Sequence, residues 1–129
     1  MIEPAFLLDS NICIYILSDG DCAAAQRLRR CELGTVAVSA ITYGELAIGF
    51  RRRAAAHLAS LDKLVATMTV LPFDQQAARA YADIPFKRGT FDRLIAAHAL
   101  ALGATLITNN EADFADVPGL KVENWTTPI

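Results

Sequence analysis

Short apolar runs alternate along this chain with longer segments whose apolar residues recur at helical spacing. The short runs end at polar or turn-forming residues, which is typical of buried strands. We therefore predict strands over residues 5–8, 35–40, 68–71, 104–108 and 121–125. The longer segments predict helices over residues 12–17, 22–31, 43–48, 54–67, 75–83 and 92–102. This alternation favours an α/β fold in which a doubly wound, five-stranded parallel sheet is flanked by helices.

The helix predicted to begin at Asp92 is apolar almost all round. Its larger apolar residues form one stripe at helical spacing, alanines fill most of the remainder, and no charge follows Arg93 before the helix ends. We expect this helix to be buried on more than one side, with His98 as a hydrogen-bonded core residue rather than a general base. Gly103 is the expected left-handed end of the helix.

Polar residues ahead of three other helices are candidate N-caps. Asp9 or Ser10 is expected to cap the helix after the first strand, because either side chain can accept a hydrogen bond from a free amide of the first turn. On the same grounds, Thr42 is expected to cap the helix after the second strand, and Asp74 the helix after the third.

The composition favours one folded domain over residues 1–129, because 53% of the residues are hydrophobic. No apolar run approaches the roughly 18 residues of a membrane span, and the acidic start, interrupted at Pro4, is unlike a signal peptide. We therefore expect a cytoplasmic protein without a membrane partner. Cys13, Cys22 and Cys31 form no CxxC pair, so we expect reduced thiols rather than a zinc site.

The formal net charge of −2 excludes binding to nucleic acid through bulk positive charge. Two local groups of basic residues remain. The run at residues 51–53 has the pattern of a solvated helix face. The second group consists of Lys87, Arg88 and Arg93, which flank Asp92, and a phosphate contact is the alternative to a solvated surface there.

Four acidic residues are placed where the predicted strands end. Asp9 ends the first strand, Glu45 lies one turn into the helix after the second, and Asp113 lies in the loop after the fourth. Asp92 begins a helix whose N-terminus faces the same edge if the preceding turn lies on that edge. Ligands of parallel α/β sheets bind outside the carboxyl ends of the strands. The sequence thus predicts that the four carboxylates converge on one edge.

Each acid also has a simple structural explanation, such as a helix cap, a helix-dipole position or an ordinary surface site. Together, however, clustered carboxylates repel one another, and a cation would offset that cost. An all-oxygen cluster favours Mg²⁺, with Mn²⁺ as the second choice, and such ions serve phosphoryl chemistry. The neighbouring polar residues either orient the acids or only form turns; these are Ser10, Asn11, Thr108 and Asn110.

Four segments carry a resemblance to a known family. They are LLDSNICIYIL at 7–17, SAITYGELAIG at 39–49, DRLIAAHALALGATLITNNEADF at 92–114 and VPGLKVENW at 117–125. Each segment alone is a weak signal, whereas the four together, in this order, are specific. The chain resembles the PIN-domain family, and more narrowly the VapC-type toxins of bacterial type II toxin–antitoxin systems.

The resemblance implies a PIN-like three-layer α/β/α fold and a Mg²⁺-dependent endoribonuclease that hydrolyses RNA with metal-activated water. The family's catalytic, metal-binding acids carry over onto Asp9, Glu45, Asp92 and Asp113. It also implies a homodimer that a small cognate antitoxin protein inhibits. The basic residues beside the third acid become candidate RNA contacts, namely Lys87, Arg88 and Arg93. Family members commonly have a longer helical segment where this chain has residues 85–91.

Other classes of protein share parts of this pattern. A receiver-type phospho-switch domain needs an acidic pair after the first strand and a suitably placed lysine, but Asp9 has no acidic neighbour and Lys121 begins the fifth strand. A magnesium-dependent phosphatase would use a DxD pair, and position 11 is Asn. A catalytically silent PIN-like binding module would keep the fold and lose acids, and all four acids are present.

Overall fold

The computed structural model describes residues 4–53, 56–88 and 90–127. Within them, five strands form one sheet in which every neighbouring pair is parallel. The strands are β1 (Phe6–Leu8), β2 (Val36–Ser39), β3 (Thr69–Leu71), β4 (Thr105–Ile107) and β5 (Val122–Glu123). The five predicted strands are confirmed. Each is shorter than predicted, because only the central residues of each apolar run pair with a neighbouring strand.

The strand order is β3-β2-β1-β4-β5. The chain therefore adds β2 and β3 on one side of β1 and then adds β4 and β5 on the other. Phe6 of β1 pairs with Thr105 of β4, and Leu8 pairs with Ile107. The direction of winding changes between these two strands. In parallel α/β sheets, such a switch point opens a crevice at the carboxyl ends of the strands, where ligands bind.

Helices cover both faces of the sheet. They are α1 (Ser10–Ser18), α2 (Ala23–Arg30), α3 (Ala40–Arg53), α4 (Ala56–Val65), α5 (Gln75–Tyr81) and α6 (Asp92–Leu102), with a 3-10 helix, η1, at Glu111–Phe114. The helices predicted from periodicity are confirmed, although the predicted start at Ala54 lies outside the described residues. The sequence pattern does not predict η1, because its four residues are too few to show a helical period.

Alternation along the strands divides the core into two layers. One layer packs against helices α1 to α4 and takes from the sheet Leu8, Val36, Val38 and Ile107. The other packs against α5 and α6 and takes Leu7, Ala37 and Leu106. Successive side chains of a strand point to opposite faces, so β1, β2 and β4 each contribute to both cores. The sheet is thus the middle layer of an α/β/α arrangement, as expected.

Helix α6 is deeply buried, and all of residues 95–99 are buried. The helix ends at Gly103 in the left-handed conformation, with φ of 68°, as predicted. His98 is 2% exposed, its Nδ1 lies 2.9 Å from Ser39 Oγ, and the Phe73 ring packs edge-on against it. The prediction of a hydrogen-bonded core histidine is confirmed.

Two of the predicted caps are confirmed. Asp9 accepts from the Ile12 amide at the start of α1, and Asp74 caps α5 in the same way. The predicted cap at Thr42 is wrong, since α3 begins earlier and Thr42 lies buried inside it. The hydroxyl of Ser39, at the end of β2, accepts from the Ile41 amide instead, at 3.1 Å.

The cysteines differ in their surroundings, although all three are free thiols. Cys13 is buried in the core, and burial raises the pKa of its thiol far above the ordinary value. The thiol therefore stays protonated, and Cys13 packs as a small apolar residue. Cys22 and Cys31 lie partly exposed at the two ends of α2. In the part of the chain that the structure describes, no helix is both long and apolar enough to cross a membrane.

Candidate active site

Asp9 lies at the switch point of the sheet, directly after β1. Its amide donates to the Ile107 carbonyl of β4 at 3.0 Å. Its carboxylate Oδ1 accepts from the Ile12 amide of α1, also at 3.0 Å. The backbone therefore fixes this residue from the neighbouring strand and from the following helix, which is a suitable support for a ligand that must keep its position.

The Asp9 carboxyl is in an unfavourable electrostatic position. The residue is only 6% exposed, and burial is the main reason that its pKa is raised above the ordinary value. Hydrogen bonds from the Thr108 side chain and the Ile12 amide lower the pKa, and the charge of Asp92 raises it again. The net effect is a raised pKa, so the folded protein is less stable when the Asp9 carboxyl is charged.

Glu45, on α3, is the second acid of the site. Its Oε1 accepts from Ser10 Oγ at 2.9 Å. Because Ser10 follows Asp9 directly, this bond joins α3 to the start of α1. Burial again raises the pKa of the Glu45 carboxyl, the bond from Ser10 lowers it, and the charges of Asp92 and Asp9 raise it. Both Ser10 and Glu45 line a cleft of about 210 Å³.

Asp92 is the first residue of α6 and is partly exposed. Its amide donates to the Thr90 hydroxyl at 3.0 Å, which holds the start of the helix. Its charge raises the pKa of both Asp9 and Glu45. The ion pair found among the described residues lies elsewhere and involves none of these three acids. Among the side chains that the structure describes, no basic group forms an ion pair that would balance their mutual repulsion.

Asp113 stands apart from the other acids. It is exposed on η1, where Asn110 Nδ2 donates to its Oδ2. The amide of Asn110 donates to Thr108 Oγ1 at 3.1 Å, and Thr108 also bonds the Asp9 carboxyl, so polar contacts connect the two acids indirectly. The charge of Asp113 does not contribute to the raised pKa of Asp9 or Glu45. Three of the predicted acids thus affect one another through their charges, and Asp113 is not among the groups that raise the pKa of Asp9 or Glu45.

The predicted metal centre is not assembled at ligand distance. Across residues 4–53, 56–88 and 90–127, no three His, Cys, Asp or Glu side chains lie close enough together to hold a metal ion. Like charges without a counter-charge favour separation, which agrees with the raised pKa of Asp9 and Glu45. The four-acid metal site therefore stays a prediction.

The predicted basic group divides into exposed and buried members. Lys87 and Arg88 are exposed, as a phosphate contact requires. Arg93 as a phosphate contact is wrong, because its side chain is only 1% exposed and turns inward. Its Nη2 lies 2.9 Å from Asp116 Oδ1 and donates to the Asp113 carbonyl at 3.2 Å.

The four polar neighbours of the acids have different contacts. Ser10 and Thr108 each bond a carboxylate through the side chain, and Asn110 bonds that of Asp113. Asn11 contributes its backbone amide to Asp9, whereas its own side chain is exposed. Sequence reasoning missed the contact between Arg93 and η1. Sequence spacing does not relate Arg93 on α6 to residues of η1, which lie about 20 positions later. The sequence signal that could have indicated the contact is an arginine in a largely apolar helix.

Comparison with known proteins gives a consistent relationship. Residues 6–120 match the family model described as PIN domain. The tRNA(fMet)-specific endonuclease VapC of Shigella flexneri is 31% identical over 130 residues, which cover 94% of this chain and 98% of the relative. Ribonuclease VapC2 of Rickettsia felis is 29% identical over 130 residues, which cover 93% and 97%.

Solved structures agree with the sequence relationship. A chain of the DNA-bound VapBC complex from Salmonella typhimurium superposes with a TM-score of 0.83 at 29% identity, covering 97% of this chain and 99% of that one. A chain of VapBC2 from Rickettsia felis, bound to a DNA fragment from its promoter, gives 0.80 at 27% identity, covering 93% and 98%. The sequence and the superposed fold lead to the same conclusion: the chain belongs to the PIN-domain family and groups within it with the VapC ribonucleases.

Proposed function

We propose that this chain is a divalent-metal-dependent endoribonuclease of the toxin–antitoxin type. The observation that carries the proposal is the group of carboxylates at the switch point, Asp9, Glu45 and Asp92. Burial, and after it the negative charges within this group, raises the pKa of Asp9 and Glu45, and no basic side chain in the described residues forms an ion pair with the group. A fold gains nothing from such repulsion, so its cost indicates a functional site. The ribonuclease relatives support the reaction class.

The donor set fits a hard divalent cation. Carboxylate oxygens are the ligands that Mg²⁺ prefers, and Mn²⁺ accepts the same set. Such a cation, when bound, supplies polarisation of the scissile phosphate and activation of water. The residues proposed to hold it are Asp9, Glu45 and Asp92, with Asp113 as the fourth acid. Their mutual repulsion is the cost that a counter-charge would remove.

The acids have different proposed roles because their surroundings differ. Asp9 is the fixed ligand, since strand and helix amides hold it on both sides. Glu45 is oriented by Ser10 and has a raised pKa, so it accepts a proton more readily than an ordinary glutamate and is suited to take one from the attacking water. Asp92 lies at the partly exposed start of α6, where a substrate phosphate can approach.

The segment before Asp92 is the proposed RNA contact. Lys87 and Arg88 are exposed and supply local positive charge in a chain of net charge −2. The same segment exposes two rings, with Phe86 69% and Phe91 54% exposed. Unpaired bases stack on exposed aromatic rings, whereas paired bases cannot. This combination favours single-stranded or looped RNA over a continuous duplex.

The proposed partners follow from the family. The similar solved structures are VapBC complexes, so we propose a small antitoxin protein as the inhibitor and a homodimer as the assembly. We also propose one domain over residues 1–129 and action in the cytoplasm. Two relatives are named as tRNA(fMet)-specific, which makes tRNA(fMet) the first RNA to test.

The test is a cleavage assay with tRNA(fMet) and, in parallel, total bacterial RNA. We expect cleavage with Mg²⁺ or Mn²⁺, none with EDTA, and products that carry a 5′-phosphate and a 3′-hydroxyl, because water is the attacking group. Asp92→Asn keeps the shape of the side chain and should lower the rate by about 100-fold, since a cation supplies several kcal/mol of transition-state stabilisation. Asp83→Asn is the matched control, because Asp83 is exposed and lies outside the site.

Two outcomes would contradict the proposal. Cyclic phosphate ends would mean that the RNA 2′-hydroxyl is the nucleophile, which needs no metal. Cleavage that survives EDTA would exclude a metal-dependent mechanism directly.

A further inference from the structure

Arg93 is a buried cation beside the proposed site. It follows Asp92 in the first turn of α6, and its side chain is only 1% exposed. Its ion-pair partner Asp116 is at the surface, with a side chain that is 47% exposed. The bond from Arg93 is the main reason that the pKa of Asp116 is lowered. The buried member of this pair is therefore the arginine.

The polar contacts of the Arg93 side chain are with the turn that carries Asp113 and with Asp116 just after it. A single nitrogen, Nη2, donates to the Asp113 carbonyl at 3.2 Å and lies 2.9 Å from Asp116 Oδ1. The amide of Asp113 donates to the Asn110 carbonyl at 3.1 Å, so this residue is held through both its amide and its carbonyl. Arg93 thus connects the start of α6 with η1 and the residues that follow it.

Stability alone does not account for this arginine. Its Nη1 is buried and has no hydrogen-bond partner among the described residues. A buried guanidinium with an unsatisfied nitrogen is costly, and an apolar side chain of similar volume usually packs there at equal or lower free energy. The specific gain from the arginine is the fixed position of the Asp113 backbone relative to Asp92.

We infer that Arg93 is a positioning residue that sets the place of Asp113 relative to the other three acids. The inference rests on the proposed function, in which Asp113 is the fourth acid. Asp113 is exposed, and within the described part of the chain the side-chain bond to its carboxylate comes from Asn110. Ligand geometry must be kept within about 0.5 Å for activity, so a loop ligand needs such a support. Arg93 supplies it from a buried, rigid helix.

The first test variant is Arg93→Met. Methionine fills a similar volume and removes the buried charge, and it leaves Asp116 hydrated at the surface, so the variant is expected to fold. The second variant, Asp116→Asn, keeps Arg93 and removes its charge partner. Asp83→Asn is the matched control, since it removes an exposed aspartate that contacts neither Arg93 nor η1 in the described structure.

The readouts separate positioning from folding. Loss of a supporting contact behind a ligand typically costs 10–100-fold in activity or metal affinity. We expect Arg93→Met to lower kcat on tRNA(fMet) by about tenfold or more with an unchanged KM, and to weaken Mn²⁺ binding by about tenfold. The melting temperature in EDTA should stay near that of the parent. Amide exchange over residues 111–117 should become faster in Arg93→Met, and less so in Asp116→Asn.

Each result decides one question. Parent-like kcat and Mn²⁺ affinity in both variants would overturn the inference, and so would a loss confined to KM, because the positioning of Asp113 is expected to act on kcat. If the parent cuts no RNA and Asp92→Asn binds Mn²⁺ as the parent does, the proposed function fails instead. Amide exchange still decides whether Arg93 fixes η1 in that case, since unchanged exchange in Arg93→Met would exclude it.

Discussion

The two sides of the site are built differently. On one side Asp9 and Glu45 are held by hydrogen bonds, and their carboxyl pKa values are raised by burial and by neighbouring negative charge. On the other side Asp113 is exposed on a 3-10 turn, held through Asn110 and through the contact of its carbonyl with Arg93. Asp92 belongs electrostatically to the first side.

The difference shows where the free energy cost of the site lies. Repulsion raises pKa values among three buried or partly buried acids, and Asp113 is not among the charges that raise them. The candidate site can thus be divided into a part with raised pKa values beside the sheet and an exposed part on a turn that Arg93 supports. Substitutions on the two sides should therefore have different effects on rate, stability and binding.

The largest difference is expected in the cleavage rate. Ser10→Ala removes the part-buried hydrogen bond to Glu45 and should lower the rate by about tenfold, since Ser10 orients a proposed metal ligand. Ser10→Thr keeps the hydroxyl and is the control. Asn110→Ala removes an exposed bond on the other side, which is worth about 0.5 kcal/mol, or about twofold in rate. Equal losses for the two alanine variants in a cleavage assay would remove the distinction between the sides.

The next largest difference between the two sides is expected in the melting temperature without metal. Because the folded pKa of Asp9 and Glu45 lies above the ordinary values of 3.8 and 4.5, their protonation stabilises the fold. That contribution is fully present below the ordinary values and is lost as pH rises through the raised folded pKa. At pH 7 in EDTA, Asp92→Asn removes a repelling charge and should melt higher than the parent, by about 4 °C for each kcal/mol of relieved repulsion.

A second effect of Asp92→Asn has the opposite sign. Loss of a negative charge at the start of α6 costs about 0.3–1 kcal/mol through the helix dipole. As pH falls, the other two acids become protonated and their repulsion with Asp92 disappears. The gain in melting temperature of Asp92→Asn over the parent should then shrink. Asp113→Asn should melt like the parent at every pH. Thermal melts across pH measure both, and a higher melting temperature for Asp113→Asn in EDTA would place it in the repelling group.

The smallest effect concerns RNA affinity. Lys87→Ala combined with Arg88→Ala should weaken binding a few-fold and reduce the salt slope by about 1.4, given about 0.7 per phosphate contact on a single strand. The matched control replaces one arginine and one lysine at the other edge of the sheet, Arg30→Ala with Lys121→Ala. Binding to tRNA(fMet) in Asp92→Asn, titrated with salt, measures the slope. An equal change in both double variants would attribute the effect to net charge alone.

Sequence reasoning predicts the regular elements of this protein well. Period-2 and period-3.6 patterns are local, so the strands and the buried helix from Asp92 to Gly103 follow from the residues themselves. The cap of α3 does not follow from the local pattern. The hydroxyl of Ser39, at the end of a strand, accepts the hydrogen bond from the first turn that is expected at Thr42. The burial of Arg93 depends on Asp116, a partner that only the folded chain brings near. For the same reason, the separate position of Asp113 cannot be predicted from its place after β4.

The pairing of β1 with β4 also determines when the site can form. Leu8 pairs with Ile107, so the strands that carry Asp9 and Thr108 are far apart in sequence. Contacts of such high contact order form slowly, because loop entropy is lost before the contact compensates for it. During translation, Asp9 and Asp113 cannot come together until β4 and the residues after it have left the ribosome. Activity that needs both of these acids can therefore appear only after most of the chain has been synthesised.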